Sequence, residues 1–230
     1  MTNDGNLLDL VSLSRRSTPS AYRIQKTAGK LKPGRGEGGL KLRPISPIVR
    51  EMAEIRPFAQ VKLVCGIIAG REERAAEAER RLAGRFGPIE ARGPRIPFAG
   101  TAYYQEEMGS GLSRGFISFR DLIAPERLPD IKIETNALEE ELKKHFATPG
   151  RAVNLDPGIM TAAALFMATT KEFSHRPPLR NGIYAHLELM FVRNGVKRLE
   201  WTYPDLRTED HVPFFLDVRK TYLESLKPPR

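Results

Sequence analysis

The chain has 230 residues, 40% of them apolar, enough for one substantial domain or two small lobes with a real core. No apolar run reaches the roughly 18 residues that a bilayer span needs. Arg15 and Arg16 follow Leu7, Leu8 and Leu10 too soon for a signal-peptide core, so the expected location is cytoplasmic, with no membrane partner.

The net charge of +9 is unevenly placed. Residues 1–51 hold ten of the 37 Lys/Arg and four of the 28 Asp/Glu, which puts +6 there and leaves +3 on the remainder. That is weak support for nucleic-acid binding by the folded part, because a basic footprint belongs on the folded face. Residues 1–51 also carry Gly34, Gly36, Gly38, Gly39, Pro33, Pro44 and Pro47 with little apolar periodicity. They read as a basic, disordered leader unable to offset its ordering entropy. At Met52 the texture changes, and we expect residues 52–230 to form a single α+β domain, with Met52 a candidate native start.

Val61–Ile68 (VKLVCGII) is a β-branched apolar run, read as a buried strand. It contains Cys65, the only cysteine, which excludes an intramolecular disulfide and reads as a core thiol. The run 71–86 is rich in helix formers and ends before Gly87-Pro88. Residues 89–98 are broken by Gly93, Pro94 and Pro97, as in an irregular or edge strand. A strand is predicted over 115–123 and a helix over 129–145, whose early acids and late lysines suit the helix dipole. Residues 152–155 make a short strand closed by Asp156-Pro157-Gly158.

The order to this point is βαββαβ, the ferredoxin-like pattern. A small helix is then predicted over 159–169, with Asp156 as N-cap and Pro157 at its first position. Residues 183–192 and 197–202 flank Arg193-Asn194-Gly195, a hairpin signal. A helix over 212–226 closes the chain. The predicted fold is therefore a ferredoxin-like first part extended by a β-hairpin and a C-terminal helix.

Chemical motifs are sparse. A P-loop and a G-x-G-x-x-G after the first strand are both absent. None of His145, His175, His186 and His211 forms a metal-binding helical pair, so no metal site and no cofactor are expected. His186 and Glu188 share one strand face, a geometry able to hold a metal, but a plain surface pair is the expectation.

The richest stretch is 154–176. Asn154 and Asp156 put an amide and a carboxylate at a strand end, and Thr169, Thr170, Lys171, His175 and Arg176 add hydroxyls, cations and an imidazole. Lysine and arginine suit phosphate or carboxylate, and histidine transfers protons near neutral pH. The candidate catalytic residues are His175, Lys171 and Asp156, and the candidate ligand-binding residues there are Arg176, Thr170 and Asn154. The structural alternative is a helix cap beside solvated cations. Tyr103, Tyr104 and Glu107 form a second candidate cluster, able to stack on a ring and accept hydroxyl hydrogens, or else a loop covering the sheet. In a third, Trp201 and Tyr203 alternate along a strand and Asp205 enters a turn, or else the three are packing and a turn.

The stretches VKLVCGII, RFGPIE, YYQEEMG, FISFRDLI, DIKIETNALEEEL, VNLDPG, ATTKEFSHR, GIYAHLELMF and WTYPD occur in this order. Together they resemble a prokaryotic family known as domain of unknown function 4416, some members of which are labelled GTP-binding proteins. The resemblance covers nearly all of 61–227 and leaves out the leader. It implies a cytosolic protein and no particular activity, and no guanine-nucleotide motif supports the label. Where the family has an aliphatic-aromatic stretch, this chain has Pro177-Pro178, which argues against a strand directly after Arg176. Two functions stay open: binding or turnover of a phosphorylated small molecule or nucleotide, and a non-enzymatic protein- or RNA-interaction module.

Overall fold

The computed structural model describes residues 55–98, 102–193 and 195–227, with backbone only for Ala102 and Tyr103. The leader lies outside the described residues. The chain is α+β, built on an antiparallel sheet. Its strands are β1 (Val61–Ala69), β2 (Ile89–Arg92), β3 (Ile96–Pro97), β4 (Ser113–Ile123), β5 (Val153–Met160), β6 (Ala164–Thr169), β7 (Tyr184–Val192) and β8 (Gly195–Arg198). Their order is β2-β4-β1-β5-β6-β7-β8, with β3 beside β4. β1 is buried along its whole length because it lies between β4 and β5.

The helices are α1 (Glu72–Phe86), α2 (Ala102–Met108), α3 (Leu128–His145) and α4 (Val212–Ser225). Alternation along β1 assigns them to faces. Leu63, Cys65 and Ile67 pack with Ala78 and Leu82 of α1 and with Leu138 and Leu142 of α3. On the opposite face Val64 joins Phe116, Met167, Phe215 and Val218 beneath α4. Ile68, on that same face, meets Met108 of α2 and Leu112. Each such side chain contributes about 2 kcal/mol of apolar burial. Between Val64 and Ile68 stands Gly66, where the apolar cover gives way to charged side chains. Among the described residues no helix is long and apolar enough to cross a membrane.

Three elements differ from the sequence reading. The helix expected over 159–169 is the β5–β6 hairpin, so three strands rather than two follow the first five. Thr161 closes its turn: Oγ1 accepts from the amides of Ala163 and Ala164, and the Thr161 amide donates to the Ala164 carbonyl oxygen at 2.9 Å. Asp156 is therefore mid-strand and caps no helix. Gly158 explains the outcome physically. A Cβ there would lie 2.6 Å from the Phe166 carbonyl oxygen and 2.5 Å from the Met167 sulfur, so the glycine serves close strand approach. The YYQEEM stretch is helix α2 rather than a loop. Trp201 and Tyr203 follow β8 in a turn, not in a strand. After Arg176, Pro178 makes only an isolated bridge to Tyr184, and β7 starts there.

Candidate functional site

β5 and β6 pair only over Gly158–Met160 and Leu165–Met167. Beyond that the strands part, and the outer edge of β5 from Val153 to Pro157 is not covered by β6. A cavity of about 580 Å³ opens at this split, bounded by α3, the end of β6 and the segment after β8.

The exposed edge of β5 is satisfied from α3. Lys132 Nζ donates to the Leu155 carbonyl oxygen at 2.8 Å, and the Leu155 amide donates to Glu139 Oε1 at 2.6 Å. Both side chains are buried. They stand seven residues apart, on the same helix stripe as Ile131, Thr135, Leu138 and Leu142. Burial pushes the Glu139 carboxyl up to about 7, against the pull of Lys132 and Arg151.

The floor is Arg114 of β4, only 2% exposed. Its Nη2 donates to Asp156 Oδ2 at 3.1 Å and its Nη1 to Asp205 Oδ2 at 3.0 Å. Burial alone would lower its pKa, but Asp205 and Asp156 outweigh it and hold the guanidinium charged. To reach β5 the side chain crosses β1 at Gly66, where a Cβ would meet Arg114 Nη2 at 3.1 Å and Phe116 Cε1 at 2.9 Å. Asn154 Nδ2 also donates to Asp156 Oδ2, and Arg151 Nη1 donates to Asn154 Oδ1 at 2.6 Å. Lys132 Nζ lies 3.6 Å from Asp156 Oδ1.

The far wall is cationic and aromatic. Thr170, Lys171 and Arg176 line it together with Phe98, Tyr104 and Tyr203. Arg176 Nε donates to His186 Nδ1 at 2.8 Å, which makes that nitrogen the unprotonated one. His186 stacks on Tyr203 with ring centroids 4.8 Å apart. Its Nε2 is 2.6 Å from Glu188 Oε2, but the ring N–H does not point at that oxygen, and neither atom has a directed hydrogen bond among the described residues. This pair is fully buried, which corrects the expectation of a surface pair. Burial, then the nearby Asp156 charge, pushes the Tyr203 hydroxyl up to about 12, and the same two causes raise Tyr104.

Seven of the ten residues singled out by sequence line this cavity: Tyr104, Asn154, Asp156, Thr170, Lys171, Arg176 and Asp205. Glu107 stands behind it, 3.4 Å from Arg151 Nε. His175 is not among the lining residues. It stacks on Trp201 at 4.7 Å and meets His186 edge-on at 5.0 Å, and burial followed by His186 and Arg176 lowers its pKa. The Tyr103 side chain lies outside the described residues. Sequence reasoning missed Arg114, Lys132, Glu139 and Arg151. Among the described residues no group of three or more His, Cys, Asp or Glu is placed to hold a metal. Cys65 is buried and does not line the cavity, and burial, then the nearby Asp156 charge, raises its thiol far above the ordinary range.

The family model for domain of unknown function DUF4416 matches residues 59–222, from just before β1 into α4. The chain belongs to the DUF4416 family. The DUF4416 match spans every element that builds the cavity and leaves out residues 1–58. No curated protein and no solved structure matches the chain.

Proposed function

We propose that the DUF4416 domain binds a small phosphorylated molecule in the cavity where β5 and β6 part. One observation carries the reading: Lys132, Arg151, Lys171 and Arg176 come from three separate segments and line one cavity. Ammonium and guanidinium groups are the donors that phosphate oxygens require. Asp156 and Asp205, organised by Arg114, supply acceptors for ligand hydroxyls. Tyr104, Phe98 and Tyr203 supply apolar wall for a carbon skeleton or a ring, which keeps a nucleotide within the class. Lys171 and Arg176 hold the anion, Thr170 and Asn154 add hydrogen bonds, and His175 packs on His186 outside the cavity lining.

Convergence of these groups favours a small-molecule site over the interaction module. The face a partner would use carries α4 and α2. By strand order, the arrangement β2-β4-β1-β5 with α1 and α3 on the crossovers supports the ferredoxin-like reading of the first part.

The test is thermal unfolding of the full chain with inorganic phosphate, pyrophosphate, glycerol phosphate, sugar phosphates and nucleotides. A ligand at 100 times its Kd stabilises by about 2.7 kcal/mol. At least one compound is expected to raise Tm, and the variant K171A/R176A is expected to lose that rise while unfolding normally without ligand. No rise with any compound, or a rise that survives in the double variant, overturns the proposal.

A further inference from the structure

Two carboxylates from different helices meet on one guanidinium at the cavity wall. Arg151 Nε lies 3.4 Å from Glu107 Oε1 of α2 and 3.5 Å from Glu139 Oε2 of α3. Its Nη1 is committed to Asn154 Oδ1. Glu107 Oε2 is buried and has no hydrogen-bond partner among the described residues. Lys132, the other cation beside Glu139, donates to the Leu155 carbonyl oxygen and also faces Asp156. One arginine does not neutralise two carboxylates, and like charges held this close favour a proton on one of them.

Burial decides which one. The Glu139 side chain is 8% exposed and that of Glu107 29%. Hydrogen bonding decides where the proton sits. Glu139 Oε1 accepts the Leu155 amide, so Oε2 carries the hydrogen, and Oε2 is the oxygen near Arg151.

We propose that Glu139 is the proton-carrying residue of this cavity: an oxyanion bound there draws Arg151 away from Glu139, and the neutral carboxyl donates its Oε2 hydrogen to a ligand oxygen. The inference rests on the anion-binding reading above. It makes Glu139 a specificity-determining residue, favouring oxyanions that accept a hydrogen bond. The groups facing Glu139 are Lys132 on its own helix, Arg151 before β5, Asp156 on β5, Glu107 on α2 and the neutral Cys65 thiol on β1. Lys132, Arg151 and the Leu155 amide favour the charged form, whereas burial, first, and Asp156 oppose it. The carboxyl is balanced near pH 7. Loss of Arg151 to a ligand therefore takes a proton from solvent, and binding weakens as pH rises past this point.

Sulfate is the probe of choice, because it carries no exchangeable proton of its own between pH 6 and 8. Titration calorimetry of the full chain with sulfate at pH 7, in two buffers of different ionisation heat, counts protons taken up. Uptake of about half a proton per sulfate is expected for the wild-type chain, and none for Glu139→Gln. Sulfate binding without proton uptake, or the same uptake in both proteins, overturns this inference and leaves the binding reading standing. Absence of binding by sulfate, pyrophosphate and glycerol phosphate alike overturns the binding reading and this inference with it. Should Glu139→Gln fail to fold, the Glu139 carboxyl ¹³C resonance of the wild-type chain decides the same question. Its midpoint is expected to move up on saturation with sulfate, and an unmoved midpoint overturns the inference.

Discussion

Truncation of Arg114 to alanine should destabilise the chain more than any single apolar contact in the sheet accounts for. The guanidinium is 2% exposed and reaches two carboxylates at 3.0 and 3.1 Å. At an effective dielectric of about 20, each pair at that separation attracts by roughly 5 kcal/mol before desolvation. Desolvation of the arginine and both carboxylates takes back most of this gain. What the truncation reveals is the other side of the balance, since Asp156 and Asp205, only 19% and 16% exposed in the intact chain, lose their shared cation.

Asp156 keeps Asn154 and Lys132, whereas the Asp205 carboxylate loses the guanidinium that donates to it. We expect a loss of about 3–5 kcal/mol in urea unfolding. The double variant R114A/D205N should recover part of it, with a coupling of about 1–3 kcal/mol in the cycle with R114A and D205N alone. Additivity within about 0.5 kcal/mol would show that the pair does not hold the cavity floor together, and would refute the reasoning.

Gly66→Val is expected to cost about 1–3 kcal/mol, read by urea unfolding, because the side chain enters the space of Arg114 and Phe116. Glu139, lifted from 4.5 to about 7 by burial, holds its proton more tightly folded than unfolded. Its contribution is thus greatest below pH 4.5, falls as pH rises to about 7 and is constant above, a change of about 3 kcal/mol. The stability difference between the wild-type chain and Glu139→Gln should shift by that amount between pH 4.5 and pH 8, and an equal difference at both pH values contradicts it. His175→Gln should leave sulfate affinity unchanged in calorimetry, since the ring does not line the cavity. A chain begun at Met52 should show the same urea midpoint as the full chain.

Strong periodicity made most elements readable. The apolar run of β1, the helix formers of α1, the dipole-matched charges of α3 and the turn between β7 and β8 each point one way. The β5–β6 hairpin was hidden because Asp156-Pro157-Gly158 has the chemistry of a helix start, while Met160, Leu165 and Met167 carry little strand preference of their own. Their pairing and the core beneath α4 decide the matter.

The site was legible where charges crowd together in sequence, as at 169–176, and illegible where a single charge sits in an ordinary element. Arg114 alternates with Phe116 and Ser118 on an inward face. Lys132 and Glu139 fall on the apolar stripe of α3. A charge on a core-facing stripe is the signal that would have found all three. It becomes visible only once the periods of β4 and α3 are laid out residue by residue.

The proposed anion site lies at the split between β5 and β6. Amide chemical-shift mapping of the full chain with pyrophosphate tests it most directly. An anion site there predicts shifts concentrated at Arg151, Leu155, Thr170, Lys171 and Arg176, absent in K171A/R176A. Shifts confined to residues 1–51, or spread over α4 and β8, would contradict it.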